Sequence, residues 1–386
     1  MNYANKTLAE LILMCKSNNI KGYSGKKKEE IIKLLNIVDN KKIKGQFYTT
    51  NSSYILDGFE LPINDIDYII EPFAGQGDLI DWVKNNNTST IPILAYDIEP
   101  KCVYIIKQDT LLNPPNYNNS FIITNPPFLA RNKSNHKEIY DLYNTNDLYK
   151  CFIESVVKQN NCKGGIFIIP AGFFFSNRDI DIRCRNNFMK NYKINKVKYF
   201  EETVFNDTST TIVAFFFEKS NIILHEQDVL WEKMPTKENK IFNMSSLNNW
   251  IIGGSIYNLP INKNIIIRRH VEGRELKDNE RLTNITLNAL DSGTQKGRIS
   301  LTYKKDYVYP AKECSRTYAT LCITGKTLTE DEQINLCLKF NDFIEKKREE
   351  TWSLFLPQFR ESKEYARKRI PFELVYNIIL HLQTLN

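Results

Sequence analysis

The spacing of apolar residues divides the chain into regions of different architecture. Between residues 7 and 36, apolar side chains recur every three to four positions on either side of a glycine-containing turn, which predicts two short helices. From residue 67 to residue 217, short apolar runs alternate with polar turns and helical segments, which predicts a sheet with crossover helices. The apolar runs lie at residues 67–70, 91–96, 103–106, 121–123, 164–170 and 211–217.

The alternation of strands and helices stops after residue 219. Strands are predicted at 260–267 and 299–309, and amphipathic helices at 330–350 and 372–382. The pattern therefore predicts an α/β fold with a Rossmann-like sheet, a small N-terminal helical hairpin and a C-terminal α+β domain. The predicted boundaries are 1–40, 41–219 and 220–386.

Four successive predicted strands end at polar side chains: Glu71, Asp97, Asp109 and Asn125. Open α/β sheets bind their ligands at the carboxyl ends of the strands, so these side chains are expected to face one ligand. Asp97 lies about twenty residues after a glycine-rich turn, where an acid accepts hydrogen bonds from ribose hydroxyls. Asp109 is suited to accept a hydrogen bond from an adenine amino group.

The glycine-rich turn runs from Glu71 to Asp78 and contains Gly75 and Gly77. It lacks the third glycine of the pyrophosphate-binding fingerprint, so it allows close approach of a ligand without cradling phosphates. A carboxylate at Glu71 is unsuited to phosphate and suited to an amine or a cation.

The stretch Asn125-Pro126-Pro127-Phe128 has the strongest chemical implication. The two prolines fix two φ angles and remove two backbone donors, and Asn125 is held extended before them. An amide oxygen, a fixed carbonyl and an aromatic face together suit a planar ring that carries an exocyclic amino group. The alternative is a rigid turn without a ligand, because Asn and Pro are both common turn residues.

Composition and charge narrow the function classes. The chain has 386 residues with 42% hydrophobic content and a net charge of +7. The sequence shows neither a secretory signal nor a run of apolar residues long enough to span a bilayer, so we expect a cytoplasmic protein that is neither secreted nor bound to a membrane. The eight cysteines and four histidines show no zinc spacing, so no metal site is predicted.

Most of the excess positive charge lies at the N-terminus. Residues 1–45 contain ten lysines and four acids, a net charge of +6. Helix, glycine turn, Lys26-Lys27-Lys28 and second helix resemble the SAP module, a small DNA-binding helical hairpin. Such lysines can meet phosphates, whereas the alternative is a helical cap whose charges only face solvent.

In its motifs, residues 44–219 resemble an S-adenosylmethionine-dependent DNA methyltransferase of the adenine-N6 type, with a seven-stranded sheet and a C-terminal target-recognition domain. Gly45 to Thr50 resembles the leading motif of that family, Glu71 to Gly77 its ligand turn, and Asn125 to Phe128 its catalytic tetrapeptide. The resemblance implies that S-adenosylmethionine is bound by Phe47, Tyr48, Thr49, Glu71, Pro72, Ala74, Gly75, Gly77, Asp97, Ile98, Asp109, Thr110 and Asn125.

The same resemblance implies how DNA is handled. The catalytic residues are Asn125, Pro126, Pro127 and Phe128, and a flipped adenine stacks on Phe128 and Phe205. The loop from 129 to 146 is expected to contact the displaced strand and to become ordered on binding. The further DNA contacts that we predict are Arg131, Lys133, Arg360, Arg367, Lys368, Arg369, Lys26, Lys27 and Lys28.

Other functions remain open at this point. Methyltransferases that modify a glutamine amide in proteins, or guanine N2 in RNA, use the same tetrapeptide, and a non-catalytic DNA-binding protein on this fold is a third option. The long C-terminal region and the basic hairpin favour duplex DNA. We expect a monomer that acts on one strand at a time, with a restriction endonuclease of the same system as a partner.

Overall fold

The computed structural model describes residues 3–17, 20, 22–45, 49, 51–62, 65–86, 91–205, 208, 210–291, 298–359 and 367–384. The chain folds into two compact units. The first comprises Met1–Ala171 with Asp179–Ile241, and the second comprises Gly172–Arg178 with Phe242–Asn386. The boundary predicted at residue 219 thus lies inside the first unit.

The N-terminal hairpin consists of two helices, α1 (Leu8–Ser17) and α2 (Lys28–Lys44). A small core joins them, in which the buried side chains are Tyr3, Leu11, Cys15, Ile31 and Leu35. Helix α1 begins with a capping box: Glu10 accepts the Thr7 N–H at 2.7 Å, and the Thr7 hydroxyl accepts the Glu10 N–H at 3.3 Å. The two helices predicted from the apolar spacing are therefore present.

Nine strands form one mixed sheet. In chain order they are β1 (Tyr68–Glu71), β2 (Ile93–Asp97), β3 (Ile106–Lys107), β4 (Ser120–Thr124), β5 (Gly164–Pro170), β6 (Tyr192–Phe200), β7 (Ile212–Lys219), β8 (Glu226–Met234) and β9 (Glu238–Ser245). Their order across the sheet is β3-β2-β1-β4-β5-β7-β6-β8-β9. Strands β1 to β5 pair in parallel, and β7 runs antiparallel between β5 and β6.

This topology confirms the predicted α/β methyltransferase fold and corrects its strand count from seven to nine. Strand β8 pairs in parallel with β6 and places Trp231 in the core. The extra pairing covers the backbone edge that β6 would otherwise expose. The central strands β4 and β5 are buried along their whole length, as expected for parallel strands covered on both faces.

Six further helices precede or connect the strands β1 to β6 in the described part of the chain. They are α3 (Ser52–Ile55), α4 (Asp78–Asn86), α5 (Glu138–Leu142), α6 (Leu148–Gln159), α7 (Gly172–Phe175) and α8 (Asp179–Met189). Helix α4 starts directly after the glycine-rich turn and buries Leu79, Ile80, Trp82 and Val83. Helix α6 ends at Asn160, which adopts a left-handed conformation with φ 51°.

In its described residues, the second unit contains two antiparallel sheets, a helix of 22 residues and a helix of 11 residues. Its elements are β10 (Ile266–Arg269), β11 (Glu280–Asn288), β12 (Leu290–Asp291), β13 (Ser300–Tyr303), β14 (Tyr318–Thr324), α9 (Glu330–Thr351), β15 (Gln358–Phe359), β16 (Arg367–Arg369) and α10 (Phe372–Leu382). The sheets have the orders β10-β14-β11-β13 and β12-β16-β15. A capping box between Thr329 and Glu332 starts α9.

The predicted elements of this region are partly displaced. The helices α9 and α10 occur where the apolar spacing predicts them. The strands predicted at 260–267 and 299–309 are instead observed at Ile266–Arg269 and Ser300–Tyr303. In the first sheet, the strand predicted at 103–106 is reduced to Ile106–Lys107, and Val103 is fully exposed. An apolar run at a sheet edge has few partners, so it need not be extended.

A buried ion pair between α6 and α8 yields a stability prediction. The Lys150 and Asp181 side chains are only 2% and 1% exposed, and Lys150 also donates to Asn146 Oδ1 at 2.7 Å. Breaking such a pair leaves a buried charge without its partner, so we expect Lys150→Met to lower the free energy of unfolding by about 3–5 kcal/mol. Urea unfolding followed by circular dichroism measures this loss.

The exposed pair between Arg131 and Asp141 is the matched control. Its side chains are 43% and 63% exposed, so Asp141→Asn should change the free energy of unfolding by at most about 1 kcal/mol. Equal effects of Lys150→Met and Asp141→Asn would contradict the assignment of a stabilising role to the buried pair.

Candidate active site at the carboxyl edge of the parallel strands

The ends of β1 to β4 converge on one cavity of about 640 Å³ in the first unit. Predicted site residues that line it are Gly75, Asp97, Ile98, Asp109, Thr110, Asn125 and Pro127. A smaller cavity of about 20 Å³ adjoins the same turn and is lined by residues that include Thr49, Glu71, Ala74 and Asn125. Asn125 belongs to both linings, so it stands where the two spaces meet.

The glycine-rich turn is fastened to the end of β2. The Ala74 N–H donates to Tyr96 O at 2.8 Å, and the Gly75 N–H donates to Asp97 Oδ2 at 2.8 Å. Gly77 has φ 95°, a backbone conformation that residues other than glycine rarely adopt. A Cβ atom at this position would also collide with the Tyr104 hydroxyl. The turn thereby brings its backbone to the cavity wall.

Asp97 is held by the backbone on both carboxylate oxygens. Besides the bond from Gly75, its Oδ1 accepts the Glu99 N–H at 2.7 Å, and the side chain is only 7% exposed. Each oxygen has a second lone pair, so the fixed carboxylate can still accept two hydroxyl donors from a ligand in the cavity.

Asp109 and Thr110 organise the adjoining wall. Asp109 Oδ1 accepts the N–H groups of Leu111 and Leu112 at 3.1 and 3.2 Å, and the Thr110 hydroxyl donates to Pro72 O at 2.9 Å. The hydrogen bond from Thr110 to Pro72 O links this loop to the glycine-rich turn across the cavity floor. Leu111 and Leu112 add an apolar surface that suits a flat ring.

Asn125 is buried to 9% exposure, and its amide is oriented by the leading motif. Its Nδ2 donates to Thr49 Oγ1 at 3.0 Å, which directs Oδ1 away from Thr49. The Phe128 N–H donates to Gly45 O at 2.9 Å, so the segment before the sheet is bound to both ends of the tetrapeptide. Gly45 has φ 66°, and a Cβ there would lie 2.6 Å from Phe128 O.

Glu71 is an acid in an unusual environment. Its Oε1 accepts the Thr124 hydroxyl at 2.5 Å and the Phe73 N–H at 3.0 Å, but its buried Oε2 has no hydrogen-bond partner among the described residues. Burial raises the pKa of Glu71 to about 8, and the charge of Asp97 adds to the rise. The side chain is therefore mostly protonated at neutral pH and is poised to ionise beside a cation.

The loop after the tetrapeptide is closed at its base. The Leu129 N–H donates to Asp147 Oδ1 at 3.1 Å, Leu148 N–H donates to Leu129 O at 3.2 Å, and Ala130 bridges to Asp147. Burial raises the pKa of Asp147 to about 6. Between these ends, Ser134, Asn135, His136, Glu138 and Ile139 form a wall of the large cavity.

Phe128 and Phe205 are packed against each other. Their ring centroids are 6.4 Å apart with planes at 57°, and the side chains are 8% and 3% exposed. Phe128 also meets Tyr149 edge to face at 6.3 Å. The structure thus brings together the two aromatic residues predicted to hold a base, but as a tilted pair with no parallel slot between them.

The predicted DNA contacts are spread over the molecule. Arg131 forms a bidentate bond to Asp141, Lys133 is exposed, and Lys26 lies 3.8 Å from Glu30 in the helical hairpin. Lys27 and Lys28 are exposed in that hairpin, and Arg367, Lys368 and Arg369 form β16 of the second unit. Phe47, Tyr48 and Arg360 lie outside the described residues.

Sequence reasoning missed part of the cavity. Leu111 and Leu112 follow Asp109-Thr110 directly, so an apolar pair after an acid was an available signal. For the loop 129–146 the sequence predicts a position beside the base pocket and a contact with the displaced strand. It does not predict that Ser134, His136 and Ile139 form a cavity wall, because this depends on the loop folding back over the strand ends. Phe73 also lines the cavity and lies within the turn motif.

The described part of the chain holds neither a metal-binding cluster nor a membrane-spanning helix. No three His, Cys, Asp or Glu side chains there lie where they could hold a metal ion. None of the helices described is both long and apolar enough to cross a membrane.

A mixed α/β sheet whose strand ends and Asn-Pro-Pro-Phe turn meet at one cavity is the arrangement of a class I methyltransferase. Residues 5–205, which are 201 of the 386 residues, match the Eco57I restriction-modification methylase family. The chain therefore belongs to the Eco57I restriction-modification methylase family. No curated protein matches the sequence significantly.

Solved structures with which the chain was aligned include three bacterial proteins. One is a modification subunit of a putative type I restriction enzyme from Vibrio vulnificus YJ016, with 15% identity, coverage of 59% of this chain and 57% of that chain, and a TM-score of 0.39. The second is the methyltransferase subunit of a type I restriction-modification system from Streptococcus thermophilus. It has 14% identity, the alignment covers 54% of this chain and 52% of that chain, and the TM-score is 0.39. The third is a putative class I S-adenosylmethionine-dependent methyltransferase from Listeria monocytogenes. It has 13% identity, the alignment covers 60% of this chain and 75% of that chain, and the TM-score is 0.36. The chain spans little more than half the length of the first two proteins.

The raised pKa of Glu71 predicts a pH dependence of stability. The folded protein keeps this proton up to about pH 8, whereas the unfolded chain loses it near the ordinary value of 4.5. The folded state thus binds more protons between these values, so the contribution of Glu71 to stability is present below pH 4.5 and is lost as pH rises toward 8. The slope is at most about 1.4 kcal/mol per pH unit.

The variant Glu71→Gln isolates this effect, because it keeps the shape of the side chain and cannot ionise. We expect the free energy of unfolding of the wild type to fall relative to that of Glu71→Gln in urea titrations between pH 5.5 and 7.5. Parallel pH profiles for the two proteins would show that Glu71 ionises in the folded state with an ordinary pKa.

Proposed function

We propose that the protein transfers a methyl group from S-adenosylmethionine to N6 of a flipped-out adenine in duplex DNA. The observation that carries this proposal is the geometry of Asn125, whose Nδ2 is bound to Thr49 at 3.0 Å beside a cavity bordered by two acids. Membership of a restriction-modification methylase family supports DNA as the substrate class.

The residues of the large cavity fit the nucleoside part of S-adenosylmethionine. Asp97 would accept hydrogen bonds from the ribose hydroxyls, Asp109 would accept one from the adenine amino group, and Ile98 and Leu112 would cover the ring; all four residues line the cavity. The buried and unsatisfied Oε2 of Glu71 suits the positive charge of the methionine end, with Thr49 and Ala74 in the same small cavity. When bound, this cofactor supplies a methyl group that is already electrophilic.

The chain itself has to prepare the nucleophile, because the lone pair of an exocyclic amino group is delocalised into the base. Asn125 Oδ1 and the Pro126 carbonyl each accept one hydrogen of the amino group. These two bonds would draw the nitrogen toward tetrahedral geometry and free its lone pair to form the new bond to carbon. The bond between carbon and sulfur would break with its electron pair left on sulfur, and the methylated nitrogen would lose one of its two hydrogens as a proton. Positioning then supplies most of the rate, so no strong general base is needed.

The aromatic pair has to rearrange to admit the base. Because Phe128 and Phe205 are tilted at 57° with centroids 6.4 Å apart, a base cannot lie flat against both rings at once. We propose that Phe205 moves and that the base stacks on Phe128. A stack of this kind contributes about 1–3 kcal/mol and offsets part of the cost of flipping.

Several basic groups then serve as DNA contacts in this proposal. The lysines of the SAP-like hairpin meet phosphates, Arg131 and Lys133 contact the displaced strand, and the strand Arg367–Arg369 contacts duplex DNA from the second unit. The protein acts as a monomer, and a restriction endonuclease of the same system is its functional partner.

The direct test is a methyl-transfer assay with labelled S-adenosylmethionine and, separately, duplex DNA, structured RNA and a protein extract. We expect N6-methyladenine after digestion of the DNA, and a decrease of about 100-fold or more with Asn125→Ala, because the amino group is no longer oriented. Label in RNA or protein but not in DNA would contradict the proposal.

The chain offers a matched control for this variant. The stretch Asn113-Pro114-Pro115 repeats the first three residues of the tetrapeptide. Asn113 is exposed, however, and the residue directly after Pro115 is Asn116, which is not aromatic. The variant Asn113→Ala should retain the activity of the wild type. A similar loss in both variants would point to a general effect on folding.

Cofactor binding gives an independent test. We expect Asp97→Asn to raise the dissociation constant for S-adenosylmethionine about 10- to 100-fold, because the amide nitrogen cannot accept a ribose hydroxyl. Isothermal titration calorimetry without DNA measures this change, with the exposed Asp141→Asn as the control. An unchanged constant for Asp97→Asn would place the cofactor elsewhere.

A further inference from the structure

The second unit has a cavity of its own, of about 440 Å³, that the catalytic chemistry does not use. It is lined by Leu290, Tyr309, Ser315, Arg316, Thr317, Tyr318 and Arg367. Two guanidinium groups and two tyrosines line it, and no acidic side chain does. We propose that this cavity is a DNA-contact site in which Arg316 meets a phosphate or a base edge; the inference rests on duplex DNA being the substrate.

The loop that carries Arg316 is held by hydrogen bonds from the Arg269 side chain and by hydrogen bonds within the loop. Arg269 donates to the carbonyl oxygens of Ser315 and Glu313, and its guanidinium lies 5.4 Å from the centre of the Phe372 ring. The Lys312 N–H donates to Ser315 Oγ at 3.0 Å, and the Ser315 N–H donates back to Lys312 O at 2.9 Å. A loop fixed in this way presents its side chains at low entropic cost.

Arg316 is the cation that this loop leaves for a ligand. It is exposed, and it has no ion-pair partner among the described residues. The nearest acid in sequence, Glu313, is bound by other cations, since Arg274 lies 3.2 Å and Arg269 3.8 Å from its carboxylate. The negative charge of Glu313 is therefore offset, and the cavity keeps the positive character that a polyanion requires.

The remaining walls suit a nucleotide. Tyr309 and Tyr318 lie with ring centroids 5.6 Å apart at 42°, and Tyr318 is 42% exposed. Arg367 enters from β16, next to β12, and so adds a second guanidinium from a different sheet. Planar guanidinium groups bind phosphate or the guanine edge with two parallel hydrogen bonds, and tyrosine rings offer stacking surfaces and hydroxyl donors.

The charge of the surrounding sequence agrees with this assignment. Between residues 298 and 318, the chain has five basic residues and two acids, a net charge of +3. The three residues of β16 are all basic. An anionic partner is therefore favoured over a neutral or basic one.

The test uses the full-length protein and a fluorescent 30-base-pair duplex of mixed sequence. We expect Arg316→Gln to weaken binding about tenfold, because one guanidinium contact is lost. The control is Arg281→Gln, which removes an exposed arginine of the same unit that does not line the cavity. Equal affinity of Arg316→Gln and the wild type would overturn the proposal.

Two measurements distinguish a phosphate contact of Arg316 from a contact with a base edge. A phosphate contact predicts a uniform loss of affinity for all duplexes and a fall of about 1 in the slope of log affinity against log salt concentration. A base-edge contact predicts that sequencing of methylated DNA shows relaxed specificity at one position of the recognition site in Arg316→Gln. Either result supports the site.

The outcomes also separate this inference from the proposed function. If the wild type methylates DNA and Arg316→Gln binds and selects DNA normally, only the inference about the cavity is wrong. If duplex DNA is bound in an Arg316-dependent way but label from S-adenosylmethionine appears in RNA or protein, only the proposed reaction is wrong.

Discussion

The contact between Gly45 and the tetrapeptide is the constraint on which the site depends. Two prolines fix the backbone of the loop, but they also remove the N–H groups by which a loop is usually held. Phe128 supplies the next N–H, and it donates to Gly45 O at 2.9 Å. With φ 66° and a Cβ position only 2.6 Å from Phe128 O, Gly45 cannot be replaced without moving one of the two backbones. Thr49, four residues later, is then in place to orient the Asn125 amide.

The two acids beside the cavity have different surroundings. Asp97 receives a backbone N–H bond on each carboxylate oxygen, and these two bonds fix the orientation of the side chain. Glu71 receives bonds on one oxygen only, and burial raises its pKa to about 8. A side chain whose orientation is fixed on both oxygens suits hydroxyl donors, whereas a protonated acid that ionises on the arrival of a cation couples ligand charge to binding. The charge of Asp97 reinforces this difference by raising the pKa of Glu71 further.

The strand ends could be predicted from sequence because the information is local. An apolar run followed by Glu71, Asp97 or Asn125 carries both the strand and its ligand-facing edge, and parallel pairing brings these ends together. The bounds of β3 at one edge, and the addition of β8 and β9 beyond β6, could not be predicted, since they depend on which backbone lies beside them. The wall formed by Ser134 to Ile139 is equally non-local, because it requires the loop to close through Asp147. The mutual packing of Phe128 and Phe205 depends on residues 77 positions apart.

The family match and the two cavities suggest where the two proposed tasks, methyl transfer and DNA recognition, are located in the chain. The match ends at residue 205, and the turn, Asn125 and Phe205 all lie within it. The cavity of Arg316 belongs to the second unit and lies beyond the match. Methyl transfer needs a mostly apolar space with a few fixed acceptors, because the reacting charge is positive and the nucleophile is neutral. Recognition of DNA needs exposed cations, whose contacts depend on salt. In the proposed function, the first requirement is met by residues of the first unit and the second by residues of the second unit.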